Sequence, residues 1–138
     1  MGHGLPALAR VFTDFIKVMI HEPESRKKLR EEFSTLKIEE LTLEHVEKLE
    51  FFQRCLSEIL RKEPPVSITN SWTVSEASTS LGGVTLHPGE TFHVAIRQTQ
   101  QDPKEWKEPA AFIPDRFDHE SHYMRKPGGA SADASTAN

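Results

Sequence analysis

Cysteine is nearly absent from this chain. Cys55 is the single one, so no internal disulfide can form, and the composition suits a reducing compartment. An excess of basic charge is missing too. A formal net charge of −4 leaves no electrostatic footprint for nucleic acid, and no Lys/Arg cluster suits an anionic membrane surface. Long apolar runs are lacking as well. The most apolar stretch, Leu5 to Ile20, carries Arg10, Asp14 and Lys17 and is too short to span a bilayer. The same charges interrupt it as a signal peptide. Pro6 stands where a myristoylation signal wants Ser or Thr. The expectation is an intracellular chain without a transmembrane segment of its own.

What is present is one domain's worth of sequence, 138 residues, with 36% apolar and 28% charged residues. That balance suits a soluble, helix-rich globular piece with a modest core. Pro6 can open a helix in its first turn, where no amide donor is needed. Leu8, Phe12, Phe15, Ile16 and Met19 then form an apolar stripe at helical spacing. His21-Glu22-Pro23 breaks that helix. A second one carries Leu29 and Phe33 amid Arg26, Lys27, Lys28, Arg30, Glu31 and Glu32, so most of it faces water. A third helical stretch is predicted from the N-cap Thr42 through Val46, Leu49, Phe52, Leu56, Ile59 and Leu60. It ends near Lys62, because Pro64 disfavours helical geometry at Glu63.

The period changes after Pro65. Val66–Thr69 and Ser71–Val74 read as short β-prone runs, and Gly82 to Ile96 as a hairpin, with Pro88-Gly89 at the centre of a type II turn. An aromatic- and proline-rich segment follows, Asp102 to Ile113, closing on Pro114-Asp115-Arg116-Phe117. Trp72 and Trp106 read as packing anchors. From Gly128 to Asn138 the chain is Gly, Ala, Ser, Thr, Asp and Asn with no apolar anchor, a predicted disordered tail.

Two short motifs carry the most information. Glu58 and Arg61 sit one helical turn apart on the apolar third helix. An isolated pair of this kind is worth only about 0.2–0.5 kcal/mol at a surface. The setting changes that reading: Ile59 and Leu60 separate them, two prolines follow, and a second guanidinium stands in Pro114-Asp115-Arg116-Phe117. Two guanidiniums on one carboxylate make a buried triad, a structural lock rather than a catalytic device, whose breakage costs about 3–5 kcal/mol.

With these residues in this order, the chain resembles the cytochrome P-450 superfamily of haem-thiolate monooxygenases. Glu58-x-x-Arg61 is similar to the family's Glu-x-x-Arg pair, and Pro114-Asp115-Arg116-Phe117 to its Pro-Glu-Arg-Phe element, with Asp for Glu. Gly83 to Val94 is similar to the family's Gly-x-x-Ile-Pro-x-Gly-Thr hairpin, through Pro88, Gly89 and Thr91. Asp102-Pro103 and Trp106 also fall where that family has them. Ile20-His21-Glu22-Pro23 with Lys28-Leu29-Arg30-Glu31-Glu32 resembles its His-Pro-x-x-x-x-Lys-Leu-x-x-Glu helix.

The resemblance implies an α+β fold, mainly α with a small antiparallel β portion: a partial cytochrome P-450 domain over residues 1–127. It runs from the distal part of the central helix through the Pro-Asp-Arg-Phe segment, with the tail at 128–138. It implies Glu58, Arg61 and Arg116 as a structural triad, and Val66, Ser67, Ile68, Thr69 and Asn70 as lining of the substrate side of the haem pocket. A basic residue that commonly holds a haem propionate is replaced by Asn70 or Ser71. No cysteine follows Arg116, so the loop that supplies the axial thiolate in this family is missing; Tyr123 to Gly129 only approaches it. Thr13-Asp14 lacks the glycine setting of the oxygen-activating motif. Cys55 reads as a small buried hydrophobe, and His119-x-x-His122 as a solvated loop.

The resulting expectation is a fragment of a haem-dependent monooxygenase, inactive alone, with no catalytic or metal-ligating residue of its own. Haem belongs to the complete family fold and is not expected to bind this chain by itself. The partners implied are the remainder of the enzyme or a larger complex, and a reductase. Endoplasmic-reticulum or mitochondrial membranes are compatible with the family but not encoded here. The rival expectation is a degenerate copy kept as a structural or assembly subunit.

Overall fold

A computed structural model describes residues 4–34 and 36–118. The expected Gly128–Asn138 tail, the His119-x-x-His122 pair and Tyr123 to Gly129 lie outside the described residues. Five helices and two small antiparallel pairs make up the described part, mainly α with a minor β portion.

Helix α1 (Gly4–His21) and helix α2 (Pro23–Phe33) meet at Glu22, with Pro23 opening the second. A short 3-10 turn, Ile38–Glu40, leads to helix α3 (Leu43–Glu47). Thr42 caps α3: its hydroxyl accepts from the His45 amide, and the His45 ring accepts from the Thr42 amide. Helix α4 (Glu50–Lys62) carries the core. Met19, Leu29, Cys55 and Ile59 form a buried cluster from α1, α2 and α4, with Phe15, Val18, Phe51, Phe52 and Phe112 packed against it. Phe52 sits between Phe15 and Phe33 with ring centroids 5.8 and 5.7 Å away, within the range of tilted aromatic pairs.

Three expectations need correction. The single helix predicted from Thr42 to Lys62 is two. Leu49 leaves helical geometry (φ −79°, ψ 82°), and the Glu32 carboxylate on α2 accepts from the amides of Phe51 and Phe52, both at 2.9 Å. The acceptor for these amides comes from another helix, and the apolar spacing along α3 and α4 carries no sign of it. The hairpin is also displaced. Strands β2 (Thr79–Leu81) and β3 (Val84–Leu86) pair across Gly82-Gly83, both at positive φ as a tight two-residue turn requires. The Pro88-Gly89 turn does form, with Gly89 at φ 88° and the Glu90 amide donating to His87. It docks instead on Val74, whose carbonyl accepts from Gly89 and whose amide donates to Glu90. Strand β4 (Thr91–Phe92) therefore pairs with β1 (Trp72–Thr73), not with β3. Finally, Trp72 is 58% exposed and anchors no core among the described residues. Trp106 is buried.

Helix α5 (Ile96–Gln101) and a 3-10 turn at Pro114–Phe117 complete the described chain.

Candidate functional site: a buried ionic joint

Helix α4 presents Glu58 and Arg61 one turn apart on the face that also buries Cys55 and Ile59. Both charged side chains are almost fully enclosed, at 0% and 2% exposure, and Arg116 joins them at 3%. Enclosed charge is tolerated only when it is paired and fully hydrogen-bonded. Arg61 grips the Glu58 carboxylate with two donors, Nε to Oε2 at 2.7 Å and Nη2 to Oε1 at 2.9 Å. Oε1 also accepts from Arg116 Nε at 3.1 Å and from the Ile113 amide at 3.0 Å.

Two guanidiniums against one carboxylate leave a surplus positive charge, and backbone carbonyls absorb it. Arg61 donates to Gln100 at 2.7 Å and to Pro109 at 2.9 Å; Arg116 donates to the carbonyls of Lys107 and Glu108. Charge-assisted bonds of this kind are stronger than neutral ones. The indole of Trp106 lies under the Arg61 guanidinium, 5.1 Å from centroid to carbon. Glu108 takes φ 48°, an uncommon left-handed conformation for a residue with a side chain, within the loop whose carbonyls turn to the arginines. On the outer side, Lys62 Nζ donates to Ala110 and Gln101 donates to the Lys62 carbonyl, so the C-terminal end of α4 is held as well. The joint ties α4, the end of α5, residues 107–113 and the Pro114–Phe117 turn together.

The segment Val66–Asn70 lies elsewhere, between α4 and β1. The Thr69 amide donates to Val94, Val94 donates back to the Thr69 hydroxyl, and the Arg97 amide donates to Ser67. Val66 and Ile68 are more than half exposed. The structure thus brings Glu58, Arg61 and Arg116 into contact and sets Val66 to Asn70 apart from them. The carbonyls of Gln100, Lys107, Glu108 and Pro109 had no sequence signal, because any residue type supplies a carbonyl.

A profile of the cytochrome P-450 family matches residues 10–131. The chain belongs to the cytochrome P-450 family. Among curated relatives, it is 33% identical over 118 residues to berbamunine synthase of Berberis stolonifera, covering 84% of this chain and 24% of that protein. It is 33% identical over 128 residues to a steroid 17-alpha-hydroxylase/17,20 lyase of Squalus acanthias, covering 89% of this chain and 25% of that protein. This cytochrome P-450 chain thus spans about a quarter of the length of the curated relatives it matches. Its backbone is similar to a retinoic-acid-bound cyanobacterial cytochrome P-450, with TM-score 0.74 and 26% identity over 84% of this chain and 26% of that one. It also shares the fold of a zebrafish cytochrome P-450 solved with abiraterone, at TM-score 0.76 and 24% identity over 89% of this chain and 30% of that one. The fold described above is a partial cytochrome P-450 fold.

The complete family fold holds haem through a cysteine thiolate. Cys55 does not fit that role. It is fully enclosed in the apolar cluster of Met19, Leu29 and Ile59, and burial first, then the charges of Glu32 and Asp115, pushes its thiol up to about 12. A metal-ligating cysteine needs the opposite environment. Among the described residues, no group of three His, Cys, Asp or Glu side chains could hold a metal ion. No described helix is long and apolar enough to cross a membrane.

Proposed function

We propose that this chain is the scaffold portion of a haem-dependent monooxygenase: it supplies the joint beneath the active site and a strip of the substrate pocket, and does not turn over by itself. One observation carries the reading. The Glu58–Arg61–Arg116 joint is complete within the described residues, whereas no described residue covers the outer face of α1. Leu5, Leu8, Phe12, Ile16 and Ile20 on that face are each at least 53% exposed, and no charged residue interrupts the row. A helix that is apolar on its outer side as well as its inner side belongs in the middle of a larger assembly. In this reading the remainder of the enzyme covers α1, Val66 to Asn70 face the substrate side of the haem, and electrons come from a reductase.

The test is spectral. The purified chain is reconstituted with haem, reduced and exposed to carbon monoxide. The expected result is no thiolate-type Soret shift; its appearance overturns the reading. The same exposed face favours a second reading, a subunit retained for assembly, in which a different protein covers α1. Co-expression with the missing portions of a complete cytochrome P-450 separates the two. Restored haem-thiolate absorbance supports the scaffold reading. A stable complex with another protein, without that absorbance, supports assembly.

A further inference from the structure

We propose that Glu32 is a positioning residue for the buried joint: it splits what would be one continuous helix into α3 and α4, and so sets the rotation at which α4 delivers Glu58 and Arg61. In an unbroken helix from Leu43 to Lys62, the amides of Phe51 and Phe52 would donate to the carbonyls four residues back, those of Glu47 and Lys48. Here they donate to the two carboxylate oxygens of Glu32, both at 2.9 Å. The side chain from α2 thus takes the place of two backbone acceptors. A carboxylate there is also favoured by the positive end of the helix dipole.

Nothing else in α4 does this work. Leu49 holds the N-cap position and has no side-chain acceptor to offer. The chain's apolar spacing runs through Lys48 and Leu49 without interruption, so local sequence favours continuity. The break instead lets Leu49 turn inward and become buried, and lets α3 close with its own bonds, the Lys48 amide donating to Glu44 and the Leu49 amide to Val46. A continuous helix would carry the α3 residues and α4 as one rod. That would move Arg54 relative to Asp115 and Asp118, with which it pairs at 3.4 and 2.8 Å, and Glu58 relative to Arg116.

The experiment uses the full chain with Glu32→Ala and Glu32→Gln. In Glu32→Ala, backbone carbon shifts at Leu49 move to helical values, as those of Lys48 already are in the parent. The amides of Phe51 and Phe52, having lost the carboxylate, bond to the Glu47 and Lys48 carbonyls and stay protected, so the Leu49 shifts are the deciding readout. Glu32→Gln keeps one of the two acceptor oxygens and sets an NH2 donor where the other was, so it serves only one of the Phe51 and Phe52 amides and its Leu49 shifts fall between those of the parent and Glu32→Ala. Native-state labelling of Cys55, on α4 and in the same buried cluster as Leu29 of α2, gives a readout that needs no assignment. It accelerates in Glu32→Ala with a shallow denaturant dependence, the sign of local opening rather than global unfolding. If Glu32→Ala retains the non-helical shifts at Leu49, the proposal is wrong. Should Glu32→Ala fail to fold, Glu32→Gln decides alone: Leu49 shifts moved toward helical values uphold the proposal, and unchanged ones sink it.

Discussion

The joint around Glu58 and the outer face of α1 invert the usual partition of a folded chain. At the joint, three charged side chains are enclosed; along α1, five large apolar ones are open to water. Two local rules explain the contrast. Enclosed charges survive because every donor meets an oxygen of Glu58 or a backbone carbonyl. The row on α1 stays exposed because no described element lies over it, while its inner side, with Met19 and Phe15, packs on α4. Asp14 belongs to the same helix and is buried on another side, 2.8 Å from Arg10 and 3.6 Å from Lys17. Among the described residues the joint is thus finished, and the α1 surface is not.

The comparison breaks most readily at the joint. Glu58→Ala is expected to cost about 3–5 kcal/mol, since it leaves two guanidiniums enclosed without their carboxylate. A urea titration reads the loss, and a cost near zero would mean the joint is not what holds α4 to residues 107–117. Next comes the inner side of α1. Met19→Ala should cost about 2–5 kcal/mol through the cavity it opens beside Leu29, Cys55 and Ile59, again by urea unfolding.

A pH series sharpens the picture of that cluster. The Cys55 thiol, ordinarily near 9.0, is raised to about 12 in the folded chain. Above the lower value the unfolded thiol gives up its proton while the folded one keeps it, so rising pH favours unfolding. The stability is complete below pH 9.0 and falls as pH climbs toward about 12. Cys55→Ala should flatten that slope, as midpoints collected across the window will show. The smallest effect belongs to the outer face. Phe12→Ser with Ile16→Ser should change stability by no more than about 0.5 kcal/mol per site, because both side chains are already in water. The same pair should reduce self-association in sedimentation. A cost as large as that of Met19→Ala would show that something in this chain covers the face.

Much of the site was legible beforehand for a specific reason. Glu58 and Arg61 are neighbours by helical spacing alone, and Pro64 marks where their helix must stop. Thr42 declared its cap through its own hydroxyl. The pairing of β1 with β4 was not legible, since Trp72 and Thr91 are far apart in sequence and the Pro88-Gly89 turn suits a hairpin equally well. Nor was the break at Leu49, whose cause is a carboxylate on another helix.

Residue identity by itself determined the helix stripes, the caps, the proline stops and the motif set that marks the cytochrome P-450 family, because each depends on neighbours within a turn or two. Tertiary structure alone decided three things: that Glu32 meets the first turn of α4, that β4 pairs with β1, and which carbonyls meet the guanidiniums of Arg61 and Arg116. Each depends on groups brought together from distant parts of the chain, and side-chain spacing does not encode which carbonyl or carboxylate arrives from elsewhere.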